Sequence, residues 1–162
     1  MKGRRSHPPH VNKIIFERIN KKEYRVALIS AIAATASKES VALRGHKCAL
    51  ALPLIVDNSF ESATKTAQVY KLLSTLFASD LVRAETAKAR TGVRKRKGGR
   101  VRAKSAIIIV SKDSPAIKAS RNIAGVDIVP VSGLSVEKLA PGAKAGRLAV
   151  YTEAALAEIA KL

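Results

Sequence analysis

The chain has 162 residues, 47% of them hydrophobic, which suits one domain with a buried core and excludes wholesale disorder. Thirty Lys or Arg against twelve Asp or Glu give a formal charge of +18, a self-repulsion that a bound polyanion relieves. The longest apolar run, Cys48 to Val56, is far short of the roughly 18–20 residues of a membrane span, and the lone Cys48 excludes an intrachain disulfide and suits a reducing, cytoplasmic setting.

In chain order, the first segment is MKGRRSHPPHVNK. Its basic start leads into HVNKIIFERINKK rather than an apolar signal segment. Consecutive prolines keep the stretch extended, so Lys2, Arg4, Arg5, His7, His10 and Lys13 are expected to track a groove as a ribbon. Residues 1–19 are therefore expected to be an extended basic segment, ahead of a single α/β domain over residues 20–162.

Asn20 and Glu23 have capping-box spacing and open a predicted helix, YRVALISAIAATASKESVAL, that ends near Gly45. Its alanines favour helix and allow close approach to another element. ALPLIVD (Ala51 to Asp57) reads as a short strand buried on both faces. Asn58 and Glu61 repeat the capping-box pattern, and Ala63, Ala67, Tyr70, Leu73 and Phe77 fall on one helical stripe. AIIIVS (Ala106 to Ser111) is the clearest strand. Ser114 and Pro115 suit an N-cap and first helical position, and Gly125 stops that helix before a second buried strand, VDIVPV. One helical turn over Leu134 to Leu139 precedes the loop APGAKAGR. LAVYT is the last strand, and Thr152 caps a C-terminal helix reaching Leu162. Alternating helices and uninterrupted Val/Ile/Leu strands predict a three-layer α/β sandwich with a mostly parallel central sheet, plus extended basic segments.

The charge is uneven. Residues 83–104 carry ten basic groups and one acid, and between Arg90 and Lys104 eight of fifteen residues are basic with no acid at all. This stretch forms a basic insertion at 86–105 that enters the AIIIVS strand at its amino end. It reads as a binding arm rather than a pocket at the carboxyl ends of strands. Lys88, Arg90, Arg94, Lys95, Arg96 and Lys97 supply counter-charge for phosphates, continued by Arg100, Arg102 and Lys104. Gly98 and Gly99 let backbone amides approach closely. Val93 and Val101 are too few apolar groups to fold the arm alone, so it is expected to order on its partner. A solvated charge run or a targeting signal is the plainer reading of such a stretch; its density and lack of acids favour nucleic acid. Lys144 and Arg147 are weaker candidates for the same role.

Other chemistries find little support. There is no G-x-x-x-x-G-K-[ST] and no G-x-G-x-x-G, and Asp57 reads as a helix start, so neither an enzyme, a cofactor nor a small-molecule substrate is expected. His7, His10, His46 and Cys48 lack the paired spacing of a structural metal site, and Cys48 reads as a small buried hydrophobe. Tyr24, Tyr70 and Phe77 sit at core spacing and are expected to pack rather than stack on bases.

GRRSHPPHV, RVALISAIAATA with RGH, KARTG with the Arg/Gly run, ASRNIAGVDIV and LAPGAKAGRLAVYTEAAL occur in an order that resembles the ribosomal protein L-four family of the large subunit, archaeal and eukaryotic type. The resemblance implies an α/β domain bound to large-subunit rRNA through extended basic segments and set among neighbouring large-subunit proteins. By position, Gly3 to His10 corresponds to the returning limb of the family's loop towards the peptide exit tunnel, and Lys88 to Lys104 to its rRNA-binding segment. The family's upstream portion, a first strand and the outgoing limb, is lacking here. The expected function is a structural constituent of the large ribosomal subunit. The alternative is a DNA-compacting protein with no sequence preference, which also wants high positive charge.

Overall fold

The computed structural model describes Gly3 and residues 5–161. Lys2 and Arg4, two of the expected RNA contacts, lie outside the described residues. Residues 5–19 contain no helix or strand and are exposed throughout.

The predicted long first helix is two helices, α1 (Lys21–Ala36) and α2 (Lys38–Leu43). The break falls at Ser37, which is extended and whose Oγ accepts from Ser40 N–H to start α2. Local capping thus overrode a helix-favouring composition. The Asn20 capping box does not form: Asn20 Nδ2 donates to Glu23 Oε1 at 3.4 Å, and no side chain caps the first turn. Of the alanines, Ala31 is the one that buries fully against the sheet side.

Strands β1 (Leu54–Val56), β4 (Ile107–Val110), β5 (Asp127–Pro130) and β6 (Ala149–Thr152) form one parallel sheet in the order β1-β6-β4-β5. The central pair is buried at every residue, as the Val/Ile/Leu runs predict. The two outer strands are a correction. β1 is an edge strand with Ile55 53% exposed, and β5 is the opposite edge, with Val129 its one fully buried residue. A short apolar run cannot report whether a second strand lies beside it.

Alternation along β4 builds the three layers. Ile108 and Val110 point into a core with Val69, Leu73, Phe77 and Leu81 of α3 (Thr66–Glu85) and with Ala116 and Ala119 of α4 (Pro115–Ser120). Ile107 and Ile109 point the other way, against Leu28 and Ala31 of α1, Leu139 of α5 (Val136–Leu139) and Ala155 of α6 (Glu153–Ile159). Each fully buried Ile contributes about 1.5–3 kcal/mol. Cys48 is half-buried and packs against the first of these cores.

The second capping box also has a different role. Residues Asn58–Ser62 make a 3-10 turn, and α3 begins later, at Thr66. Asn58 Oδ1 accepts from Ala154 N–H of α6, and Glu61 accepts from Ser111 N–H, Ser111 Oγ and Thr152 Oγ1. Both side chains tie strand ends together across the sheet. Thr152 does cap α6 as predicted, through Ala155 N–H at 3.2 Å, although that helix stops at Ile159. Ser114 precedes Pro115 without a side-chain bond. Phe77 is buried as expected, and its non-helical backbone kinks α3, whereas Tyr24 and Tyr70 are 40% exposed. Among the described residues, no helix is long and apolar enough to cross a membrane.

Candidate nucleic-acid interface

The basic insertion leaves α3 and folds into a minimal hairpin. β2 (Lys88–Ala89) pairs antiparallel with β3 (Arg100–Val101), Lys88 opposite Val101 and Ala89 opposite Arg100. Between them a 3-10 turn spans Gly92–Lys97, closed by Gly98 N–H on the Lys95 carbonyl at 2.9 Å. Gly98 and Gly99 follow at φ 62° and 84°, left-handed backbone that a residue without Cβ adopts at little cost. These two glycines turn the chain back.

Every residue from Lys88 to Arg102 is exposed. Among the described residues, no carboxylate pairs with a cation of that stretch; the ion pairs are His46–Asp80, Arg83–Asp80, Lys104–Asp127 and Arg147–Asp127. Three-residue turns eclipse positions i and i+3, so Arg94 and Lys97 share one side of the tip. Like charges held that close repel, and an anion between them reverses the sign of the interaction.

The root of the arm is built quite differently. Asp80 on α3 is fully buried. It accepts from Ser105 Oγ at 2.6 Å, from Arg83 Nε at 3.0 Å, from Lys47 N–H at 3.3 Å and, at 3.1 Å, from His46 Nδ1. Arg83 Nη2 also lies 3.1 Å from that Nδ1, but one ring nitrogen cannot both donate to Asp80 and accept from Arg83. We assign the ring proton to the Asp80 bond, and Arg83 Nη2 to Asp80 Oδ1 and the Lys104 carbonyl. His46 Nε2 is left buried and without a partner among the described residues. Burial alone would push the Asp80 carboxyl up; the His46 and Ser105 hydrogen bonds, then the His46 and Arg83 charges, outweigh it and hold the carboxyl below its ordinary value.

A second carboxylate clamps the same point. Asp127, at the start of β5, takes Lys104 Nζ at 2.9 Å and Arg147 Nη2 at 2.6 Å. Burial raises its carboxyl, and the Lys104 and Arg147 bonds more than reverse this. Arg147 is 1% exposed and spends its donors on the carbonyls of Ser105, Lys138, Ala106 and Gly125 as well as on Asp127. Desolvation lowers its guanidinium, against the pull of Asp127. Arg147 is therefore removed from the candidate interface: it is an internal brace, and the loop before it is not freely solvated. Arg44 donates to the Pro141 and Lys144 carbonyls, and a Cβ on Gly146 would meet the Ser40 carbonyl oxygen at 2.4 Å. Lys144 itself remains exposed on this braced loop.

Apart from Lys144 and Arg147, the expected residues that the structure describes fall into three places. Arg5, His7, His10 and Lys13 line the exposed first segment, and Lys88 to Arg102 form the hairpin. Lys104 stands at the root, half exposed but paired. Asp80, Arg83, Ser105 and Asp127 were not anticipated from the sequence. One signal was available: Asp80 follows Phe77 by three residues and precedes Ala84 by four, so an acid interrupts the buried stripe of α3. Among the described residues no group of His, Cys, Asp and Glu is placed to hold a metal, and His46 is committed to Asp80.

Comparison with known proteins gives a consistent picture. The family model described as "Ribosomal protein L4/L1 family" matches residues 1–162. A relative named "Large ribosomal subunit protein uL4" from Methanococcus maripaludis strain S2 is 48% identical, covering 97% of this chain and 64% of that protein. Proteins of the same name from Methanocaldococcus jannaschii and Haloquadratum walsbyi are 45% and 41% identical, over 97% and 98% of this chain and 64% and 65% of theirs. The chain therefore spans somewhat less than two thirds of the length of these relatives.

Proposed function

This chain belongs to the Ribosomal protein L4/L1 family, and from that premise we propose that it is a structural component of the large ribosomal subunit that binds rRNA through two basic segments. The observation that carries the reading is the hairpin: a dense set of exposed cations that, among the described residues, have no acid partner, on a root locked by the buried Asp80 and the half-buried Asp127. A flexible charge run would have neither the left-handed glycine turn nor the clamp. The mechanism is charge neutralisation. The hairpin enters between RNA helices, its Arg and Lys side chains replace condensed counterions, and the ions released drive association. The exposed first segment, residues 5–13, adds a second line of contacts through Arg5, His7, His10 and Lys13. Binding is to backbone shape, since the arm has no aromatic platform.

Sedimentation of tagged protein from a cell extract, repeated at raised salt, tests this. Migration with the large subunit is expected. Migration with DNA would favour the chromatin-like alternative, and free protein at every salt concentration would overturn the ribosomal reading.

A further inference from the structure

Beside the root of the hairpin, on the free edge of β5, lies a cleft of about 510 Å³. Its walls are Ile117 of α4, Ile128 of β5 and Pro141, and its rim carries Lys104, Arg121 and Lys138. We propose that this cleft receives one unstacked nucleotide of the bound RNA. The inference rests on the RNA-binding reading above and extends it from backbone contact to a base pocket.

The argument starts from strand geometry. Asp127 N–H bonds the carbonyl of Ala106, the residue that precedes β4, at 3.2 Å. Successive residues of a strand point their peptide groups to opposite sides, so the N–H and C=O of Ile128 face away from β4. β5 is the last strand of the sheet, and that edge borders the cleft. A main-chain donor and acceptor side by side match the donor–acceptor edge of a nucleobase. Apolar Ile117 and Pro141 suit the faces of a base that has left its stack.

The rim supplies the rest. Arg121 is exposed and pairs with no carboxylate among the described residues. Lys104 Nζ has one donor left beyond its two Asp127 contacts, and Lys138 Nζ uses one donor on the Gly133 carbonyl. These three cations face Glu137, the one rim acid not already neutralised by an internal bond. A peptide strand added to the same edge is the rival occupant. Pro130 breaks the ladder at the end of β5, and the basic rim favours phosphate over a peptide backbone, so nucleotide is the better fit.

The test uses the full chain with labelled isoleucine δ-methyls, titrated with each of the four nucleoside 5′-monophosphates, with ribose 5-phosphate and with large-subunit rRNA fragments. Ile117 and Ile128 methyl shifts are expected with at least one mononucleotide and with an rRNA fragment, but not with ribose 5-phosphate. Arg121→Ala should shrink the mononucleotide shifts, and replacing Arg94, Lys95, Arg96 and Lys97 by Ala should leave them intact while weakening the RNA. Shifts with mononucleotide but not RNA, equal shifts with ribose 5-phosphate, or no shifts at all would each overturn the pocket. None of those results touches the hairpin reading, which stands or falls on the RNA affinity of the four-Ala variant.

Discussion

Asp80 and Asp127 do at the residue scale what the cations of the arm cannot do for themselves: they hold Lys104 and Ser105 in one place. Replacing Asp80 with Asn keeps its shape but weakens the charge-assisted bonds from Arg83, His46 and Ser105. The expected loss is about 1.5–3 kcal/mol of unfolding free energy, read from urea titration. Arg147→Met leaves a set of buried carbonyls without their donor and Asp127 with Lys104 alone, and should cost about 3–5 kcal/mol. Because Arg147 is buried, the salt dependence of RNA binding by whatever protein remains folded should be unchanged. Acid provides a third check. Both carboxyls are lowered in the native state, so their stabilisation is complete above the ordinary carboxylate range near pH 4 and is lost as pH falls through the lowered native values. Thermal melts at decreasing pH should show the wild-type Tm falling in that window, and Asp80→Asn falling less steeply.

At the scale of elements, the hairpin and its root separate binding from support. The hairpin cations sit in solvent, so replacing Arg94, Lys95, Arg96 and Lys97 with Ala should leave the melting temperature almost unchanged. The same variant should reduce the slope of log K against log salt by about 3, at roughly 0.7–0.9 per phosphate contact. A slope equal to wild type would remove the hairpin from the interface. At the root the opposite holds. Gly125 has φ +75°, and a Cβ there would lie 2.6 Å from the Ala103 carbonyl oxygen and 2.7 Å from Ala84 Cβ. Gly125→Ala should therefore destabilise the fold and pull β5 from the arm base, visible as faster amide exchange of Ser105, whose N–H bonds the Gly125 carbonyl. Elements were legible where one local pattern decides them. The IIIV run of β4 and the Thr152 cap read correctly, whereas of the expected α3 stripe Leu73 and Phe77 are buried, Ala67 and Tyr70 are exposed, and Ala63 precedes the helix. The capping boxes at Asn20 and Asn58 did not, because a side-chain acceptor satisfies whichever donor folding brings nearest. For Asn58 that donor comes from α6, ninety-six residues away.

For the whole molecule, a charge of +18 over 162 residues makes ionic strength a lever with two opposite effects. Screening relieves self-repulsion, so the free protein should melt a few degrees higher at about 0.5 M salt than at about 0.05 M. The same increase should weaken RNA binding steeply. A Tm that fell with salt would show that internal ion pairs, rather than repulsion, dominate the charge energetics. The sequence alone determined the sandwich class, the strands of the sheet centre and the place of the cationic arm, because hydrophobic period and charge density are local properties of the chain. Tertiary structure alone decided that β1 and β5 are edges, that Arg147 faces inward, and that Asp80 and Asp127 meet at one root. Those outcomes depend on which distant groups share a low-dielectric interior, where a charge or a hydrogen-bonding group left without its partner is too costly to keep.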